Sequence, residues 1–391
     1  MSQAGPRDNG DFSPEYGPVP GRGAVPETKR RVCCFCELWG SGGLESFLSN
    51  MLIRMDLSRL EVDIVAARLE EGVFTGPLKA RGVHFYELSG RPNEPVRNHR
   101  AFRKLLEARN YDVIHLHLFQ GLSLAYARLA KEAGVPVRIA HSHNADLRHS
   151  PTRWLKLCLH AWGRRRYAGD CTDLWACSGA AAEYLFSHRA YRFIPNGIET
   201  ERFRYDPAVR ARVRAELGVG NAFVVGNVGR LSTQKNQVFL LEVFRELVTL
   251  RPDSRLLLVG EGEALPTLKE RAERLQIADQ VMFYGLSSHV EQLLWAMDVL
   301  AFPSFFEGFG IVVIEAQAAG LPVLCSEGVP LEAMVTEQAV RLKLSAGPKA
   351  WAEAALNRKA ADRGSGAEAV AAAGFDVQAV ADSIKKAWMG R

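Results

Sequence analysis

From Arg31 onward the sequence alternates short β-branched runs with amphipathic stretches of helical length, and it does so twice. Strand-like runs fall at 31–38, 62–67, 84–88, 112–117, 135–142 and 174–178, with helical stretches between them, such as 44–54, 101–109 and 122–133. A second series begins near residue 222, with runs at 223–228, 255–259, 281–284, 299–302 and 322–325. Its helical stretches are 237–250, 264–275, 290–297 and 311–319. Strands separated by helices at this spacing predict parallel sheets with helices on both faces. Between the series lies Ile194-Pro-Asn-Gly-Ile-Glu, a turn-forming cluster, and then the charged helical stretch 208–217. The expected fold class is therefore α/β, as two doubly wound domains facing each other across a cleft. The boundaries read as a tail at 1–28, a first domain at 29–200, a second at 201–375 and a terminal helix at 376–391.

The length of 391 residues suits two such domains. Residues 1–28 hold five Gly and five Pro and almost no large aliphatic side chains, so a disordered tail is expected. No apolar run approaches the roughly 18 residues a membrane-spanning helix needs, and no secretory leader is visible. The seven cysteines, an odd count in a long chain, fit a reducing cytosol, so a cytoplasmic location is expected. Cys33-Cys34-Phe35-Cys36 lacks the spacing of a zinc or redox site and reads as small buried apolar residues.

The net charge of +5 is unevenly placed. Residues 1–200 carry +6, and residues 201–391 carry −1. Arg148, Arg153, Lys156, Arg164, Arg165 and Arg166 account for that excess without an acid among them. This is one basic face, not the extended stripe of a nucleic-acid binder.

In open α/β sheets ligands bind beyond the carboxyl ends of the strands, so the loops there carry the chemistry. The run 223–228 ends in Gly229-Arg230-Leu231-Ser232-Thr233-Gln234-Lys235-Asn236 before a helix, and two cations beside a helix start suit a phosphate. An ordinary solvated loop would read the same way. After the very apolar run 299–302 comes Glu307-Gly308-Phe309-Gly310, where the glycines allow close backbone approach to a ligand. Glu315 follows in an otherwise apolar helix, a costly place for a carboxylate unless water or a ligand hydroxyl meets it. The plainer alternative is that Glu307 caps the helix and Glu315 escapes to solvent.

Glu307 and Glu315 stand within Glu-Gly-Phe-Gly-x-x-x-x-Glu-Ala-x-Ala-x-Gly-Leu-Pro-Val. Together with Gly-Arg-Leu-x-x-x-Lys-Asn and Pro-Asn-Gly-Ile, this segment resembles the GT-B glycosyltransferases of family 4, retaining enzymes that use nucleotide sugars. The resemblance runs from Gly42-Gly43 to the terminal helix. Ala140-His-Ser-His-Asn, Ala176-Cys-Ser and Tyr184-Leu-Phe resemble the branch that builds capsular polysaccharide or exopolysaccharide.

It implies two Rossmann-like domains, the first for acceptor and the second for nucleotide sugar, with the terminal helix packing back on the first. Arg230 and Lys235 would hold the donor diphosphate and stabilise the leaving group. Glu315 would accept hydrogen bonds from the ribose, and Glu307 would contact the transferred sugar. Amides of Phe309, Gly310 and Ile311 would face sugar and diphosphate, and the base would pack near Tyr284 and Leu286. Gly42 and Gly43 would approach the phosphates from the first domain, with His141 near the reaction centre. His117 and His143 read, from the residues themselves, as polar strand-end side chains lining the cleft for acceptor contact.

The implied partners are a nucleotide sugar, UDP-linked as the commoner family donor, and a glycan or lipid-linked acceptor. No separate cofactor is implied. The chain has no Asp-x-Asp, so the cations and helix amides would meet the diphosphate charge without a metal.

Three further features have competing readings. His115/His117 and His141/His143 are both His-x-His pairs, but no fitting third metal ligand is evident nearby, and no metal is expected. Gly260-Glu-Gly262-Glu-Ala-Leu mimics a dinucleotide turn with its third glycine replaced by Leu265, which disfavours a nicotinamide enzyme and leaves a glycine-lined wall. The segment 151–169 interleaves Trp154, Leu155, Leu157, Leu159 and Trp162 with its cations. It is either a core-packed helix or one that lies on an anionic membrane surface at the inner face of the cell membrane. Rivals to the lipid-linked acceptor are a soluble sugar phosphate and, in another class, a protein that only binds nucleotide.

Overall fold

The computed structural model describes residues 29–40, 42–144, 153–358 and 362–390. The tail expected at 1–28, and the start of the basic segment at 151–152, lie outside the described residues. Two parallel sheets form the molecule. The first has seven strands: β1 (Arg30–Trp39), β2 (Leu60–Leu69), β3 (His84–Glu87), β4 (Val113–Leu118), β5 (Val137–Ser142), β6 (Asp173–Ala176) and β7 (Arg192–Phe193). The second has six: β8 (Val224–Val228), β9 (Arg255–Val259), β10 (Val281–Gly285), β11 (Val299–Phe302), β12 (Val323–Cys325) and β13 (Ala339–Arg341).

Their orders are β3-β2-β1-β4-β5-β6-β7 and β10-β9-β8-β11-β12-β13. In each sheet the first strand has its successor on one side and a later strand on the other. The connections after β1 and β4, and after β8 and β11, therefore diverge and open a crevice at the strand ends. This is the two-sheet α/β architecture of the GT-B fold.

The inner strands β1, β2, β4, β8, β9, β11 and β12 are mostly buried on both faces, which is why those runs read as continuous apolar stretches, whereas the edge strands β3, β7, β10 and β13 are half-buried or exposed. Cys33, Cys34 and Cys36 are buried in β1, and burial pushes their thiols well up, consistent with inert packing residues. The helical stretch read at 122–133 divides into a 3₁₀ turn, Gly121–Leu124, and a helix, Ala125–Glu132. Strands β7 and β13, of two and three residues, had no counterpart in the sequence reading, because so short a run shows no periodicity.

The helix Val377–Trp388 crosses to the first sheet. Asp376 caps it by accepting from the amides of Gln378 and Ala379. Val380, Ala381, Ile384 and Trp388 are buried with Val32, Cys34, Phe47 and Leu48 of the first sheet's layer. Lys385 pairs with Asp56 at 2.7 Å. The returning chain bonds to the Pro-Asn-Gly-Ile turn, with the Ile198 amide on the Phe375 carbonyl at 2.8 Å. Gly197 is required there, since a Cβ would stand 2.9 Å from Val377 Cα.

Candidate active site

Two loops of the second sheet converge. After β8 the chain turns at Gly229 and is pinned to the next loop by Leu231 N–H to Glu261 O at 2.9 Å and Ala264 N–H to Leu231 O at 3.0 Å. A Cβ on Gly260 would lie 2.2 Å from the Gly229 carbonyl oxygen, and one on Gly262 would lie 2.2 Å from that of Leu231. The two glycines thus serve to let the Arg230 loop pack closely.

Asn236, in the left-handed region at φ 55°, reverses the chain into the helix Gln237–Leu250. Its amide donates to Pro303 O at 3.2 Å, and Gln234 donates to Phe306 O at 3.0 Å, so the loop after β8 is tied to the loop after β11. That tie brings Lys235 Nζ within 2.7 Å of Glu307 Oε1 and 4.7 Å from the centre of the Phe302 ring. Both charged groups are largely buried. Arg230, by contrast, is exposed and pairs with Glu263 at 3.1 Å.

The loop after β11 leads to the helix Ile311–Ala318, whose first flanking residue is Gly310 at φ 84° and which has no side-chain cap. Glu307 therefore does not cap this helix; it faces Lys235. Among the described residues, the amides of Phe309, Gly310 and Ile311 donate to no protein acceptor, and they form the positive end of the helix. The Phe309 ring itself turns into the core and stacks on Phe375 at 5.6 Å.

One turn further on, half-buried Glu315 has no hydrogen-bond or ion-pair partner among the described residues. Burial raises it to about 7, with Arg202 opposing and Glu291 reinforcing the shift. Tyr284 and Leu286, 45% and 72% exposed, sit at the end of β10 beside the Gly260–Gly262 loop.

From the first sheet, Glu45 folds over the turn after β1. It accepts from Gly40 N–H at 2.9 Å and Gly42 N–H at 3.0 Å, and a Cβ on Gly42 would meet it at 2.7 Å. Among the described residues the Gly43 amide donates to no protein acceptor, and a Cβ there would meet nothing within 4 Å. The two halves touch at Gly308: a Cβ on it would lie 2.3 Å from His143 O, and Ser178 Oγ donates to Gly308 O at 2.8 Å. His143 thus lies half-buried at the cleft. His141 is one layer deeper, fully buried, as is His117.

β4 and β5 pair with His117 opposite His141, which brings the two His-x-His pairs onto one face. Burial pushes all four imidazoles down, so they are neutral. The expectation that no third metal ligand stands nearby is corrected by this register: one ring nitrogen each of His117, His141 and His143 lies within 4.8 Å of the others. Cross-strand pairing is not visible in spacing along one strand.

Sequence reasoning also passed over two carboxylates. Glu45, three residues after Gly42, makes the acidic half of a capping box by accepting from the Gly42 amide; an acid in the first turn of a helix after a glycine run was the available signal. Glu37 stands at the end of β1, where burial raises it while Ser123 and Gln120 donate to it. Its position at a strand end was the available signal.

The family model described as "Glycosyltransferase Family 4" matches residues 41–202, and the one described as "Glycosyl transferases group 1" matches residues 209–357. The chain is 28% identical over 368 residues to the "Putative glycosyltransferase EpsF" of Bacillus subtilis, covering 90% of this chain and 94% of that one. It is 30% identical over 237 residues to an Escherichia coli "UDP-Gal:alpha-D-GlcNAc-diphosphoundecaprenol alpha-1,3-galactosyltransferase", covering 57% and 59% of the two chains. Among solved structures, Anabaena Alr3699/HepE in complex with UDP-glucose superposes with a TM-score of 0.76 at 21% identity, over 92% of this chain and 100% of the other. The two matches divide the chain as its two sheets do. The chain belongs to glycosyltransferase family 4, the group 1 glycosyl transferases, and is a retaining GT-B enzyme that draws its sugar from a nucleotide-linked donor.

Proposed function

We propose that this enzyme moves a sugar from a UDP-linked donor to a glycan or lipid-linked glycan at a membrane surface, in the synthesis of a polysaccharide. One observation carries the reading of the donor site. A buried Lys235–Glu307 pair joins the loop after β8 to the loop after β11, and the latter and the helix it opens carry helix amides and a carboxylate, Glu315, without protein partners among the described residues. A diphosphate would meet Lys235, Arg230 and the amides of Phe309, Gly310 and Ile311. The ribose hydroxyls would donate to Glu315, and the sugar hydroxyls to Glu307. Arg230 must leave Glu263 to reach the phosphates, which costs little because exposed pairs contribute about 0–1 kcal/mol. Gly43 closes on the phosphates from the first sheet, and the base packs beside Tyr284 and Leu286.

In the transfer, the anomeric C–O bond breaks and its electron pair passes to the diphosphate oxygen. The acceptor hydroxyl forms the new bond from the same face and gives its proton to that oxygen. Lys235 and the amides lower the barrier by meeting the growing negative charge. UDP is the nucleotide of this reading because one relative is named for UDP-Gal and a structure of the same fold holds UDP-glucose; other relatives are named for GDP-mannose, which makes GDP the alternative that the test below distinguishes.

The membrane reading rests on the helix Arg153–Tyr167. Among its described residues only His160 and Gly163 are buried. They dock it on the turn at Gly121, whose amide donates to His160 Nδ1 at 2.9 Å. Trp154 and Trp162 are 68% and 53% exposed on its outer side, beside Leu155, Leu159 and the cations. Apolar rings flanked by Lys and Arg suit an anionic bilayer surface. No described helix is long and apolar enough to cross a membrane.

The test is thermal unfolding with UDP, GDP and NADH, on the parent protein and on Lys235→Ala. A nucleotide at about 100 times its dissociation constant adds about 2.7 kcal/mol. A UDP shift that shrinks in the variant is expected; a larger GDP shift would change the base, and an NADH shift would overturn the site. Transfer to a vesicle-borne acceptor, absent with soluble sugar phosphates, is expected of the full reading. Turnover that survives loss of both Glu307 and Glu315 would contradict it.

A further inference from the structure

The four histidines on β4 and β5 form a square. Along each strand the rings lie close and tilted to one another, with centroids 4.1 Å apart for His115 and His117 and 4.0 Å apart for His141 and His143. Across the strands, His115 Nε2 lies 3.2 Å from His141 Nδ1, and His117 Nδ1 lies 2.9 Å from His143 Nε2. A fifth ring reaches this square from the far end of the chain: Trp388 Nε1 donates to His115 Nδ1 at 3.3 Å.

An indole N–H can only donate, so His115 Nδ1 must offer its lone pair. A neutral ring then carries its proton on Nε2, and that N–H donates to His141 Nδ1. His141, neutral in turn, keeps its proton on Nε2. That atom, like His117 Nε2, is buried and has no protein partner in the described structure.

We propose that Trp388 is a positioning residue that, through His115, holds His141 as the Nε2–H tautomer, so that His141 offers the reaction centre a hydrogen-bond donor and not a base. The role of His141 towards the reaction centre follows the expectation drawn from the family resemblance and so rests on the proposed function; the tautomer rests on the geometry of the rings alone. The relay also disqualifies the triad of His117, His141 and His143 as a metal cage. A metal needs an imidazole lone pair, and both nitrogens of His141 are committed, one to His115 and one to its proton.

The test is the two-bond proton–nitrogen spectrum of the imidazole rings in the full-length protein, assigned with His115→Gln and His141→Gln. His115 and His141 are expected as Nε2–H tautomers, unmoved by added Zn²⁺. Trp388→Phe keeps the packing but removes the donor. It is expected to abolish the pure Nε2–H pattern at His141 and to lower kcat about tenfold, the size of one positioned hydrogen bond, with the donor KM unchanged.

Should Trp388→Phe fail to fold, His115 carries the same test. His115→Gln retains an N–H that can donate to His141 and keeps tautomer and rate, whereas His115→Phe loses both. An Nδ1–H tautomer of His141 in the parent protein, stoichiometric Zn²⁺ uptake by these rings, or a Trp388→Phe spectrum identical to the parent would each overturn the relay. The expected tautomers in a protein that binds no nucleotide would sustain the relay and sink the proposed donor site.

Discussion

Glu315 is a carboxylate with a cost. Its raised value, about 7 against the usual 4.5, means that the fold disfavours its ionised form. The folded state therefore holds its proton longer than the unfolded chain does. Stability is lost as pH rises from about 4.5 to about 7, and the loss is complete above that window. Glu315→Gln removes the penalty. Melting curves across pH should show the variant gaining on the parent through this window, with no gain below it, while its uridine binding weakens about tenfold. A variant that binds uridine as the parent does would show that Glu315 has no part in the ribose site. Residues of this kind were legible in the sequence: Glu307 and Glu315 stand out because the surrounding segment is so apolar. The bond from Trp388 to His115 was not, because it joins positions 273 apart and needs the terminal helix in place.

At the scale of elements, the long apolar runs announced their strands because burial on both faces leaves no polar positions to blur them. The short edge strands β7 and β13 escaped, since their pairing comes from neighbours already in place. The helix Arg153–Tyr167 was legible as a helix but not in its orientation. Only the structure shows that Gly163 and His160 face inward and the tryptophans outward. A Cβ on Gly163 would lie 2.6 Å from the Gly121 backbone, so Gly163→Val should force the helix off its turn. Overpacking of that kind costs about 1–3 kcal/mol, visible as a lowered Tm. Trp154→Ser with Trp162→Ser should leave Tm and the UDP shift intact but abolish co-sedimentation with anionic vesicles. Equal co-sedimentation of parent and variant would place the membrane contact elsewhere.

At the scale of the molecule, two sheets with the same switch-point geometry face each other, touch at Gly308 and His143, and are strapped by the terminal helix. Their repetition was visible in the sequence as two strand–helix series, and the motif Glu-Gly-Phe-Gly marked one loop as a place of close approach to a ligand. The cross-cleft contacts were not visible, because they depend on how the two sheets and their layers dock. In the proposed donor site Lys235 acts on the diphosphate of the donor and not on its nucleoside. Calorimetric titration of UDP and of uridine into the parent protein and Lys235→Ala separates the two. The variant is expected to lose about tenfold or more in UDP affinity and nothing in uridine affinity. An equal loss for both ligands, or a UDP affinity untouched by the substitution, would contradict it.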